Sequence, residues 1–125
     1  MEAQEKWAQA LLKLLQIRLE SAGLWQTALL PSPEAFESNE PFCVDQMTMP
    51  QWLRYVFIPR MQALIDQRGT LPQACDITSQ CEMQMQGEGL AAVLEVTQAL
   101  DQLLTAHKIP SVALMKASQR EAGKS

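Results

Sequence analysis

At 125 residues the chain is long enough for one domain with its own hydrophobic core. Hydrophobic residues make up 47% and charged residues 19%, which excludes extended disorder, and a net charge of -4 disfavours the basic footprint of a nucleic-acid binder. No apolar run approaches the length of a membrane span, the start MEAQEKWAQALLK lacks a signal-peptide core, and three cysteines are awkward for a disulfide framework, so a cytoplasmic protein with free thiols is expected.

The first helix is expected over residues 2–22. Trp7, Ala8, Leu11, Leu14, Leu15, Leu19 and Ala22 share one face of a 100° wheel, with Lys6, Gln9, Lys13, Gln16 and Glu20 opposite. Glu2 and Glu5 complement the dipole at its start, and Gly23 supplies the positive φ that ends it. Residues 30–48 are the least regular. Ser32-Pro33-Glu34 can open a short helix, and Phe36 and Phe42 are its expected anchors into the core.

Thr48-Met49-Pro50-Gln51 is a capping-box pattern that opens the main helix, expected to run to Arg68 and end at Gly69. Pro59 falls inside it. It lacks the N–H that would reach the Tyr55 carbonyl, at a cost of about 3 kcal/mol, so a kink is expected there. Leu53, Phe57, Met61 and Leu64 form one apolar face and Trp52, Tyr55, Val56 and Ala63 a second. Such a helix either lies at the centre, between the first and last main helices, or leaves one face for a partner.

Residues 71–89 read as a loop or partly helical connector. Leu90, Val93, Val96, Leu100, Leu103 and Leu104 then make a clean stripe against Glu95, Gln98, Asp101, Gln102 and Thr105, ending near His107 and Pro110. Residues 112–115 are expected to pack as a short turn and the polar residues from 116 onward to be mobile. Strand signals are almost absent, with no Asn-Gly hairpin turn and no sustained alternation of apolar and polar residues. The expected fold is all-α, a small antiparallel bundle of about four helices with one kinked at Pro59, forming a single domain over 1–107 with a largely mobile extension over 108–125.

Residues with chemical potential have structural readings that outweigh functional ones. Cys43, Cys75, Cys81 and His107 match no zinc-ligand spacing, and no cofactor motif occurs; the Gly87-Glu88-Gly89 turn lacks the strand and lysine of a phosphate loop. Asp45, Asp66, Glu95 and Asp101 read as caps or ion-pair partners rather than paired acid–base groups. Arg60, following the proline, is expected to satisfy a carbonyl or carboxylate exposed by the kink. No catalytic residue is assigned. The candidate interaction surface is Trp52, Tyr55, Val56 and Arg60, because tryptophan, tyrosine and arginine dominate interfaces. The alternative is a small enzyme or RNA-binding protein with a pocket near Asp45, Arg60 and His107.

The segment Pro41-Phe42, Asp45, Met47, Trp52-Leu53, Tyr55-Val56-Phe57-Ile58-Pro59-Arg60-Met61, Leu64-Ile65-Asp66 and Leu71-Pro72 resembles the signature of the YqcC-like family of small bacterial proteins of unknown function. Tyr55 stands where another aromatic, often tryptophan, is usual. The resemblance covers most of residues 1–107 and implies a compact four-helix protein without an assigned activity, cofactor or catalytic residue. Genes of the family often lie beside one for a tRNA pseudouridine synthase, which implies a protein partner in RNA modification. A non-enzymatic helical accessory module is therefore the expected function, with homodimerisation a further form of it and direct nucleic-acid contact disfavoured.

Overall fold

Every regular element in the computed structural model, which describes residues 2–123, is helical. Helix α1 (Glu2–Ser21) is followed by two short 3-10 turns (Pro33–Glu37 and Pro41–Cys43). Helix α2 runs as α-helix over Met49–Trp52, as a π turn over Leu53–Phe57 and as α-helix again over Ile58–Asp66. Helices α3 (Thr78–Gln84), α4 (Leu90–Ala106) and α5 (Val112–Ala122) complete the chain. The fold is all-α with five helices, one more than the sequence pattern suggests, and no strand among the described residues.

The local signals of α1 hold. Gly23 takes φ +74°, and the Leu24 and Gly23 N–H groups return to the Leu19 and Glu20 carbonyls at 2.9 and 3.1 Å, a Schellman closure. The capping box also forms: the Thr48 N–H donates to Gln51 Oε1 at 2.8 Å, and the Gln51 N–H to Thr48 Oγ1 at 3.3 Å. At the other end of α2 the positive φ belongs to Arg68 (+54°) rather than to Gly69, so the helix closes one residue earlier than expected.

Pro59 is accommodated by a change of register. The Ile58 N–H donates to the Leu53 carbonyl, five residues back, and the following α-helical segment begins with the proline in its first turn. There a missing N–H is one of the donors a helix leaves free anyway, so the interior-proline penalty is avoided. The expected kink is thus a π turn placed just ahead of the proline.

The centre of the core is α1, which packs against α4, α5 and α2; the expected central place of α2 is not observed. Ala8, Leu11, Leu12, Leu14, Leu15 and Leu19 of α1 are buried with Leu53, Phe57 and Met61 of α2 and Val93, Val96, Leu100, Leu103 and Leu104 of α4. Gln4, near the start of α1, donates to the Leu103 carbonyl at 3.3 Å, and Arg18, near its end, reaches the Ala92 carbonyl at 2.8 Å and Glu95 at 2.7 Å. Gly89, at the start of α4, lies so close to α1 that an added Cβ would stand 2.9 Å from the Cβ of Ala22.

The C-terminal expectation needs correction. Instead of a short turn and a largely mobile extension after 107, residues 112–122 form a helix laid on α1. Ser111 caps it by accepting the Leu114 N–H at 3.1 Å, Leu114, Ala117 and Ser118 are buried, and Glu121 pairs with Arg18 at 2.9 Å. Residues 124 and 125 lie outside the described part. Arg18 is only 8% exposed. Burial opposes its charge, but the hydrogen bonds it donates to Glu121 and Glu95 outweigh that, holding its pKa above the ordinary arginine value.

Candidate functional site

The second apolar face of α2 is closed only in part, Ala63 being exposed and Tyr55 half-buried, and the closed part does not lie under α4. Val56 is buried with Ala35 and Met47, with Cys43 and Trp52 packed alongside, so the chain's own 35–47 loop covers it. Phe36, expected as an anchor, is 40% exposed; Ala35 beside it is the buried residue. Phe42 does pack inward, half-buried. It sits in an unusual backbone: Phe42 and Cys43 are successive non-glycine residues at φ +60° and +51°, a conformation that costs roughly 1–2 kcal/mol per residue. That turn brings the Phe42 ring edge-on to Trp52, centroids 4.9 Å apart, while Trp52 stacks on Phe57 at 5.5 Å.

These aromatic rings wall a cavity of about 240 Å³ between α2 and the segment leading into α3. From α2 come Trp52, Val56, Phe57, Arg60, Met61 and Leu64; from the facing segment come Pro72, Ala74, Cys75, Asp76 and Ile77. The facing wall is fixed by α4. Thr105 Oγ1 accepts the Cys75 N–H at 2.9 Å and donates to the Cys75 carbonyl at 3.1 Å. Asp101 accepts the Ile77 and Thr78 N–H groups, both at 3.0 Å, capping α3 from another helix. Thr78 and Thr97 join their hydroxyls at 2.9 Å beneath it.

The cavity is apolar inside, and its two charged lining residues, Arg60 and Asp76, are exposed and therefore lie at its open side. Asp76 is engaged, accepting from the Ser79 N–H and hydroxyl at 3.4 and 3.2 Å. Arg60 has no hydrogen-bond, ion-pair or ring partner among the described residues, contrary to its expected role in satisfying a group freed at the proline. The Cys75 thiol is pushed well above the usual thiol range, first by burial and then by its hydrogen bond to Asp101 and that carboxylate's charge. Burial, with the charges of Asp101 and Glu82, pushes Cys81 up to about 12. Neither is a ready nucleophile at neutral pH.

Of the four residues expected to share an interaction surface, the fold brings Trp52, Val56 and Arg60 to this cavity. Tyr55 faces elsewhere: its ring lies 5.0 Å from the Arg54 guanidinium, which also sits 4.7 Å over Trp25 and donates to the Trp25 carbonyl. The alternative trio is not assembled. Arg60 lines the aromatic cavity, while His107 lines a different one with Gln4, Arg68, Thr70 and Gln73. Asp45 is exposed and lines neither; its carboxylate accepts from Ser38, which holds its pKa below the usual range. Asp101 and Glu95 take the structural roles expected of them, a cap and an ion pair. Among the described residues no group of three or more metal-ligating side chains forms, and no helix is long and apolar enough to cross a membrane. A broader groove of about 600 Å³ between α1 and α2 is lined largely by polar side chains, including Gln9, Lys13, Gln16, Glu20 and Gln62, without an aromatic wall.

Phe42 was expected to anchor in the core and does, on Trp52, whereas Cys75, Asp76 and Ile77 were not foreseen as partners of α2. Only the pairing of Asp101 and Thr105 on the polar edge of α4 hinted at them, and that signal is non-local.

Comparison with known proteins adds to this geometry. An uncharacterized protein of Haemophilus influenzae is 46% identical over 74 residues, 59% of this chain and 69% of its own length. YqcC of Escherichia coli K12 is 42% identical over 53 residues, 42% of this chain and 49% of its own length. A protein of Pectobacterium carotovorum subsp. carotovorum named tRNA pseudouridine synthase C is 45% identical over 56 residues, which are 45% of this chain but 15% of that protein. No solved structure matches the chain. Residues 7–103, from the second turn of α1 through most of α4, match the family model DUF446, described as tRNA pseudouridine synthase C; α5 lies beyond the match. The chain therefore belongs to the DUF446 family, alongside YqcC and its bacterial relatives.

Proposed function

We propose that the chain is a non-catalytic, protein-binding accessory module that works in the cytoplasm with a tRNA pseudouridine synthase. The observation that carries this reading is the recurrence of 56 of its residues, at 45% identity, in a protein named tRNA pseudouridine synthase C that extends far beyond them. A segment that recurs in the longer protein is one suited to lie against it. Three features support a binding rather than a chemical role. Asp45, Arg60 and His107 are not gathered, the Cys75 and Cys81 thiols are held protonated, and the net charge of -4 disfavours direct hold on tRNA. The helix contacts favour a bundle in which α1 and its main neighbours run antiparallel, with α5 laid over α1.

The test is titration calorimetry of the full chain against purified tRNA pseudouridine synthase C from the same bacterium. A complex with Kd in the micromolar range or tighter, roughly -8 kcal/mol, is expected. No heat and no co-elution at about 100 µM of each protein, with or without tRNA, would remove the reading.

A further inference from the structure

We propose that the Trp52–Arg60 cavity is the anchor site of this module, taking one large apolar side chain of the synthase polypeptide with an acidic residue next to it. The inference rests on the accessory-module reading and names the surface and the chemistry of contact.

Size sets the class of occupant. At about 240 Å³ the cavity is smaller than the roughly 300–1,000 Å³ typical of sites for free small ligands, and matches a single side chain pushed in from a partner. Its walls are those of an interface anchor pocket: Phe42, Trp52 and Phe57 form a continuous aromatic surface, with Val56, Met61 and Ile77 beside it. The left-handed turn at Phe42 and Cys43 sets one of those rings against Trp52, and strain of this kind is retained where a side chain must be aimed.

Charge selects the neighbour. The arginines of the chain can be compared directly. Arg18 is held by Glu95 and Glu121 and Arg54 by Trp25 and Tyr55; Arg60, like Arg68 and Arg120, has no hydrogen-bond, ion-pair or ring partner among the described residues, and of these three it is Arg60 that lies beside the apolar cavity. The one acid on the lining, Asp76, already accepts two hydrogen bonds from Ser79. A guanidinium left free beside an apolar pocket is matched by a carboxylate flanking the inserted side chain, in bidentate geometry. Cys75, held as a neutral thiol, puts no second anion beside Asp76, so no thiolate competes with the partner's carboxylate for Arg60.

The experiment titrates purified tRNA pseudouridine synthase C with the full chain and four variants, each first checked for an unchanged unfolding midpoint. Arg60→Glu reverses the free charge and should weaken binding at least about tenfold. Ala74→Trp fills the cavity from an exposed lining position without touching the charge, and should weaken binding to a similar degree. Asp76→Asn removes the competing acid and should leave affinity equal or tighter. Lys13→Glu, in the groove between α1 and α2, is the control and should change little.

If the wild-type chain binds and neither Arg60→Glu nor Ala74→Trp matters, the cavity proposal is overturned while the accessory reading stands. If the wild-type chain does not bind, the accessory reading fails and takes the proposal with it. Arg60-dependent binding of tRNA alone, weakening steeply with salt, would assign the site to RNA instead. Arg60-dependent self-association in sedimentation, without synthase binding, would assign it to a second copy of the chain.

Discussion

On one side of α2, Arg54 lies 4.7 Å over the Trp25 ring and 5.0 Å from Tyr55, and its guanidinium donates to the Trp25 carbonyl. On the other side Arg60 borders a cavity walled by Trp52 and Phe42 and has no hydrogen-bond, ion-pair or ring partner among the described residues. Both regions contain an arginine and aromatic rings, the residue types that dominate partner-binding surfaces, but only Arg54 lies over a ring. The difference is whether the chain supplies the cation's partners itself. Where it does, the arginine fastens the segment after α1 to α2; where it does not, the same chemistry is left for another molecule.

The largest expected effect concerns the thiol wall opposite Arg60. If Arg60 served to activate Cys75, that thiol would react quickly with alkylating reagents. With Cys81 pushed up to about 12, it should instead react roughly a thousandfold more slowly at pH 8 than a free thiol, and Cys75, held well above the usual range, should be slow as well. Mass spectrometry after timed iodoacetamide exposure reads this directly, and rapid labelling of Cys75 would recast its side of α2 as a reactive site. The same displacement has a pH signature. The native state keeps these thiols protonated where the unfolded chain has lost its protons, so stability should be present below about pH 8.5 and fall as pH rises towards the folded values.

Arg18 sharpens the comparison next, as a cation even more fully engaged than Arg54. Buried and joined to the Ala92 carbonyl, Glu95 and Glu121, it links α1, α4 and α5. Arg18→Ala removes charge-assisted hydrogen bonds and a buried stem together, and should cost about 2–4 kcal/mol in urea unfolding. A loss below about 1 kcal/mol would show that engagement seen in the structure does not set the cost.

Arg18 also marks the limit of what could be read in advance. It follows Leu14 and Leu15 by four and three residues, so its place on the apolar face was legible, but its partners come from 74 to 103 residues away. Several signals closed within a few residues were readable, namely the Thr48 capping box, the Gly23 closure and the leucine and valine stripe of α4, whereas the Ser111 cap and the Phe42–Cys43 turn were not. Nor was helix α5, because its apolar residues are few and its docking depends on Glu121 meeting Arg18 and Ser118 meeting the Ala10 carbonyl. The cavity was half legible. Trp52, Val56 and Arg60 stood out on α2, whereas the facing wall exists only because Asp101 and Thr105 hold residues 75–78 in place.

Arg54 tests the engaged side of α2 itself. Arg54→Ala removes a hydrogen bond to the Trp25 carbonyl and stacking on two rings, and should cost about 1–2 kcal/mol. Arg54→Lys should recover only part of this, because an ammonium cannot reproduce the flat face that lies over Trp25. Trp25 fluorescence should shift in both variants. Full recovery by lysine would mean that charge alone, rather than the planar contact, holds the segment.

The smallest expected effect is the most informative for function. Arg60 is exposed and makes no hydrogen bond, ion pair or ring contact among the described residues, so Arg60→Ala should change stability by less than about 0.5 kcal/mol. Truncation also removes a desolvation burden from the edge of an apolar cavity, so a slight gain is as consistent with the geometry as a slight loss. Paired with Arg54→Ala in the same urea series, the variant turns the comparison into a measured difference of about 1 kcal/mol or more between two arginines six positions apart on one helix. A loss for Arg60→Ala equal to that of Arg54→Ala would mean that the chain does engage Arg60, and the free-cation argument for a partner would fall. Near-zero loss leaves Arg60 as a side chain the fold does not need, held beside a cavity that a partner's side chain can fill.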